Sequence, residues 1–153
     1  MSAIEFEIQR TVRAPVDEVF ARLVDIEGQN AWMAGSRSML KHTRLTTPGE
    51  PRVGTTYVDE TSRGELPGEI VELETPQKVV FHWWQKSRSG KLAFEGWPSY
   101  ELEPAGDRVT LVHHRGTLQL YGAYRLGRPL FKRFALRERT TTLEALQASF
   151  EPS

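Results

Sequence analysis

The chain has 153 residues, 39% of them hydrophobic and 26% charged, the size and composition of one globular domain with a core of its own rather than of a disordered segment. Twenty basic residues balance twenty acidic ones, so no net field draws the chain onto nucleic acid or anionic lipid. Cysteine is absent, which removes disulfides, thiol nucleophiles and thiolate metal sites.

Ala3 to Arg13 alternates, with Ile4, Phe6, Ile8 and Val12 on one face and Glu5, Glu7, Gln9 and Thr11 on the other, the pattern of a half-buried first strand. Ala14-Pro15 breaks it. Pro15 suits the first turn of a helix, Asp17 and Glu18 favour its positive end, and Val16, Val19, Phe20, Leu23 and Val24 follow at helical spacing up to Asp25. A second short helical piece is expected around Gly28 to Met33, closing on Gly35. From Ser38 to Leu120 the text turns to strands: Met39–Thr46, Thr55–Ser62, Gly68–Glu74, Lys78–Lys86, Leu92–Glu103 and Arg108–Leu120. Short glycine- and proline-bearing connections with no helix between them imply antiparallel neighbours. Pro129 to Phe150 is helical again. The expectation is one α+β domain over residues 1–153, a curved antiparallel sheet of six to seven strands with a helix roughly 33 Å long against its concave face. MSAIEFEIQR lacks a signal-peptide core and no stretch approaches a membrane span, so a cytoplasmic protein without stable membrane insertion is expected.

At this point the chain resembles a known family. "RTVRAPVDEVFARLVDIEGQNAWM", with Ala14-Pro15, Asp17, Val19-Phe20, Asp25 and Trp32, is similar to the opening of the SRPBCC superfamily, the START-like helix-grip proteins. "VGTTYV" at Val53–Val58, "GEIVELETPQKVVFHW" at Gly68–Trp83, "YELEPAGDRVTLVHHRG" and "TLEALQASFE" resemble its later blocks, and the nearest branch is that of the polyketide cyclase/dehydrase-like proteins. The resemblance covers nearly the whole chain and implies a helix-grip fold with a ligand tunnel between sheet and terminal helix. Members bind lipids, sterols, polyketides or quinones, and only some catalyse a reaction, so the fold does not fix the function.

Within that frame Phe81 and Trp83 are assigned inward from "VVFHWW", sharing a face with Val79, while Val80, His82 and Trp84 point outward. In "RVTLVHHRGTLQL", Leu111, His113 and Arg115 share one face and His114 the other. If Leu111 meets the tunnel, His113 becomes a candidate acid or base and Arg115 a holder of a carboxylate or enolate oxygen. Tyr57 and Asp59 of "TTYVDET" are their candidate partners; surface placement satisfies the alternation equally well. Adjacent histidines on opposite faces cannot chelate one ion, so neither metal nor other cofactor is expected. On the terminal helix Leu136, Leu143, Leu146 and Phe150 form a stripe that Arg139 and Thr140 interrupt, natural over a polar-lined cavity and equally so for a helix lifted off the sheet. Leu136, Thr140 and Leu143 join the expected ligand contacts. "YGAYRLGRPLF" with Gly122 and Gly127 reads as an ordered loop or a gate. Pro98 removes a ladder donor, so an edge or bulge is expected near Trp97. Trp84 on the outer face would be covered by a homodimer or by neighbouring long side chains.

Two functions from different classes follow: a binding protein for an apolar lipid, polyketide or other ring-containing ligand, or a cofactor-independent cyclase/dehydrase-type enzyme using His113, Arg115, Asp59 and Tyr57. A third, partner binding through the face around Trp84, leaves the tunnel vestigial. Nucleic acid is not an expected partner.

Overall fold

The computed structural model describes residues 3–152. Strand β1 (Ala3–Val12) is followed by helices α1 (Val16–Val24) and α2 (Gln29–Trp32). Six further strands follow: β2 (Leu40–Leu45), β3 (Thr56–Thr61), β4 (Gly64–Glu74), β5 (Lys78–Lys86), β6 (Leu92–Gly106) and β7 (Val109–Leu120). A 3-10 segment, Gly122–Gly127, leads into α3 (Arg128–Ser149). All seven strands form one antiparallel sheet in the order β1-β7-β6-β5-β4-β3-β2, so consecutive hairpins run from β2 to β7 and β1 closes against the last strand. With the long terminal helix and the two short ones after β1, this is the helix-grip arrangement.

Two departures from the expected elements bear on the sheet beneath the site. β4 starts at Gly64, not Gly68, because Arg63-Gly64 closes a tight hairpin (Thr61 pairs with Gly64) and Pro67 is carried inside the strand opposite Val58. Near Trp97 neither an edge nor a bulge forms. β6 lies between β5 and β7, and the register to β5 is the same on either side of Pro98: Val80 pairs with Ser99 and Trp83 with Gly96. Pro98 faces Gly116 of β7, so the missing donor is absorbed in a central strand.

α1 buries Val19, Phe20 and Leu23 against the sheet, joining Val12, Ile70, Val79, Leu102 and Val112 in the main core. The C-terminal half of α3 adds Leu143 and Leu146, both 0% exposed. A smaller cluster of Ile4, Leu118 and Leu120 receives Phe131 and Ala135 from the N-terminal half. α3 is thus anchored apolarly near both ends, while its centre carries Glu138, Arg139 and Thr142.

Both sheet edges are closed by side chains. On β1, Arg128 Nη2 donates to the Ala3 carbonyl (3.1 Å) and Gln147 Nε2 to that of Thr11 (2.8 Å), so α3 lies along the strand. On β2, the Asn30 amide donates to the Thr43 carbonyl and accepts from its N–H, both at 2.8 Å, and Glu27 accepts from the Leu45 N–H at 2.9 Å. Among the described residues no helix is long and apolar enough to cross a membrane.

Candidate functional site

Between the sheet and the central turns of α3 lies a cavity of about 830 Å³, within the ~300–1,000 Å³ range of small-molecule sites. Its apolar wall includes Phe81, Trp83, Phe94, Leu118, Phe131 and Phe134. Room for it is made by glycines at inward-facing strand positions. A Cβ on Gly68 would lie 2.5 Å from the Tyr57 ring, one on Gly96 2.7 Å from Trp83, and one on Gly116 2.5 Å from Phe6. In each case the glycine is the direct cross-strand partner of the aromatic residue. The rings therefore lie down on the sheet where a side chain would have pushed them into the cavity.

The other part of the wall is polar, with Tyr57, Asp59, Tyr100, Glu138, Arg139 and Thr142. Glu138 is engaged: its carboxylate accepts from Ser38 Oγ (2.9 Å) and the Met39 N–H (3.0 Å), tying α3 to the segment before β2. Arg139 is different. Its guanidinium donates to Thr142 Oγ1 at 3.1 Å, and no carboxylate of a described residue lies within 4.0 Å of it. An arginine is always charged and carries five donors in a planar fork, so most of this donor set faces the cavity unmatched. Trp32, another lining residue, has its indole N–H buried without a partner.

The neighbours of Arg139 feel both its charge and the apolar surroundings. Burial pushes the Asp59 carboxyl up to about 6, against a hydrogen bond from Thr43 and the attraction of Arg139, which both work to lower it. Tyr57 is raised well above its ordinary range, first by burial and then by the Asp59 charge; burial also raises Tyr100. Behind this wall lies His114, 0% exposed, stacked on Tyr100 with 4.0 Å between ring centres and edge-on to Phe6. Burial, with the nearby Arg139 charge, lowers it to about 3. It is therefore neutral, donates through Nδ1 to the Ser99 carbonyl at 2.9 Å, and leaves Nε2 buried without a partner.

The structure brings Tyr57, Asp59, Phe81 and Trp83 to the cavity wall. It does not bring Leu111, His113 or Arg115. β7 turns Thr110, Val112, His114, Leu118 and Leu120 inward, and the expected face outward. His113 Nε2 lies 3.2 Å from Glu103 as a hydrogen-bond contact on the outer face, and Arg115 forms surface ion pairs with Glu7 (3.8 Å) and Glu101 (4.0 Å). The reason is that the outward row is apolar only at Val109 and Leu111 and then turns polar through Gln119, whereas the inward row carries Val112 and ends on Leu118 and Leu120, and that row wins the core. On α3, Leu136 is 42% exposed and Leu143 packs in the core, while Thr140 lies off the cavity wall; the wall is made instead by the adjacent positions Ala135, Glu138, Arg139 and Thr142. Trp84 is half-buried on the outer face, its ring 5.1 Å from that of His82, which stacks in turn on Trp97 at 4.8 Å. Sequence reasoning missed Tyr100, His114 and Glu138. Their one signal was the polar interruption in the terminal helix, of which Arg139 reaches the cavity wall and Thr140 does not.

The family model for polyketide cyclase/dehydrase and lipid transport matches residues 3–151. No curated protein matches the sequence significantly. Among solved structures, the Zhui aromatase/cyclase from Streptomyces sp. R1128 superposes with a TM-score of 0.76 at 12% identity, covering 96% of this chain and 93% of that one. A START superfamily protein from Mycobacterium smegmatis gives 0.73 at 12% identity over 95% and 96%. The Mll3558 protein from Rhizobium loti gives 0.66 at 21% identity over 95% and 96%. At these identities the likeness is one of fold.

Proposed function

The chain belongs to the polyketide cyclase/dehydrase and lipid transport family, and from that premise we propose that its cavity binds an apolar, ring-containing small molecule bearing an anionic or enolate oxygen. The observation that carries this reading is the unmatched Arg139 guanidinium on an otherwise largely aromatic wall. In such a site charge is weakly screened, and a charge-assisted hydrogen bond contributes about 1.5–3 kcal/mol. The aromatic wall supplies the affinity for the ring body, and Arg139 orients it. Asp59 modulates the anchor: once protonated, as the pH falls through about 6, it no longer competes with the ligand's negative charge.

Two probes that differ by one group test the reading: 8-anilinonaphthalene-1-sulfonate, and N-phenyl-1-naphthylamine, the same ring system without the sulfonate. Both should bind, compete with each other, and fluoresce in the cavity. Arg139→Gln should weaken the sulfonate by about 10–100-fold, the equivalent of one or two charge-assisted bonds, and leave the neutral probe within about threefold. Equal losses for both probes would remove the anchor, and failure of both to bind the unaltered protein would remove the ligand-binding reading. The catalytic alternative rests on Asp59, a carboxyl raised to about 6 that shares the cavity wall with Tyr57; the outward His113 and Arg115 no longer support it.

A further inference from the structure

The balance of charge over the whole chain conceals a polarised molecule. Three loops converge at one end. The β3–β4 turn presents Arg63, whose guanidinium lies 5.5 Å over the Phe134 ring of α3. Gln85 Nε2 donates to the Arg63 carbonyl (3.0 Å), joining that turn to the β5–β6 hairpin with Lys86, Arg88 and Lys91. Phe94, next along β6, meets Tyr124 at 5.8 Å and Phe131 at 5.4 Å, which brings in the 3-10 segment and the start of α3. Lys86, Arg88, Tyr124 and Leu130 all line the cavity yet are exposed to solvent, so this end is its mouth.

The cations here are gathered without acidic partners. Elsewhere Arg10, Arg13, Arg44, Lys78, Arg108 and Arg115 each have a carboxylate within 4.0 Å, and Arg22, Arg37, Lys41 and Arg52, which have none among the described residues, are scattered along the chain. Lys86, Arg88, Lys91, Lys132, Arg133 and Arg137 have none among the described residues. Residues 122–137 hold five basic side chains and no acidic one, and 86–91 hold three and none. Amid this field stand the two most exposed large apolar residues described, Leu126 at 89% and Leu130 at 71%.

We propose that this end docks on an anionic lipid surface, with Leu126 and Leu130 entering the interface and the cavity mouth turned toward the acyl chains. Long, unpaired cations flanking protruding leucines match a headgroup layer over hydrocarbon, where anionic lipid attracts the charges and apolar side chains find solvent of their own kind. An acidic protein would also attract the cations, but it would need a pocket shaped for a leucine that stands almost free of neighbours. A bilayer imposes no such shape. Zero net charge over the whole chain does not oppose this, because the field is local to one surface.

The test is flotation of the full chain with vesicles of phosphatidylcholine, with and without one quarter phosphatidylglycerol. Binding should require the anionic lipid and weaken as salt shortens the Debye length from about 10 Å to about 3 Å. Lys132→Glu with Arg133→Glu should reduce partitioning by at least about 25-fold, about fivefold for each charge removed. Leu126→Ser, at a leucine off the cavity wall, should reduce it by about tenfold or more, while Arg13→Ser, outside this surface, should leave it unchanged. These side chains are exposed, and probe binding in the cavity, measured on the same variants, should persist; loss of vesicle binding is thereby separated from any failure of the ligand reading. No partitioning onto anionic vesicles, or equal partitioning of all variants, would overturn the proposal. Retention on a polyglutamate matrix by protein that ignores vesicles would overturn it in favour of an acidic protein partner.

Discussion

His114→Asn keeps a donor near the position of Nδ1 for the Ser99 carbonyl and removes the titrating ring. The native imidazole is held at about 3 against an ordinary 6.5. The unfolded chain therefore binds the extra proton first, and the stability that neutral His114 contributes is fully present above pH 6.5 and drains away as the pH falls toward 3. Between pH 6 and pH 4 the linkage relation gives a loss of about 2.5 kcal/mol. Asp59 acts in the opposite sense. Its native value of about 6 lies above the ordinary 3.8, so the folded state takes up the proton first. Its contribution is fully present below pH 3.8 and is lost as the pH rises through 6, by at most about 2 kcal/mol between pH 4 and pH 6 because the group is only partly buried. The two slopes nearly cancel in the native protein. Urea unfolding followed by tryptophan fluorescence from pH 4 to pH 7 should separate them. His114→Asn carries a constant loss of about 2 kcal/mol or more from the vacated space and broken stacking. The stability difference, native minus variant, should still grow by about 2.5 kcal/mol from pH 4 to pH 6. Asp59→Asn should show the reverse trend and raise stability at pH 7. Parallel pH curves for native protein and both variants would refute the reasoning.

Two further outcomes follow from the packing. Gly96→Ala places a methyl 2.7 Å from Trp83; it should cost about 1–3 kcal/mol in denaturant unfolding and weaken N-phenyl-1-naphthylamine binding by displacing the indole into the cavity. Glu138→Leu strands the Ser38 hydroxyl and the Met39 N–H; it should cost about 2–4 kcal/mol and raise hydrogen exchange at Met39, and unchanged exchange there would show the tie to be unimportant.

The fold was legible because most elements announce themselves by period: β1 alternates with Arg10 as its one exception, α1 starts at Pro15 with Asp17 and Glu18, and the strand punctuation is regular. The site was legible only in part. Phe81 and Trp83 could be assigned because Val79 extends their row, whereas β7 offers apolar residues on both faces and one decision carried Leu111, His113 and Arg115 together to the wrong side. A glycine inside a strand weakens it, and nothing in local spacing shows that those at 68, 96 and 116 are what lets Tyr57, Trp83 and Phe6 lie flat. The Arg139 cluster is a meeting of β3, β6, β7 and α3, and a contact between residues so far apart in the chain leaves no mark on local spacing.

The two sealed sheet edges bear on how this protein behaves in a crowded solution. An open strand edge is a template for a neighbouring chain, and a seven-stranded sheet would ordinarily offer two. Here the Asn30 amide mimics a peptide group beside β2, and Arg128 and Gln147 occupy carbonyls of β1 from the flanking helix. Growth by strand addition is blocked at these points without burying either edge under another subunit. Protection against strand addition at these points therefore rests on two side-chain amides, one carboxylate and one guanidinium, whereas the basic end around Leu126 and Leu130 leaves its apolar side chains in the open.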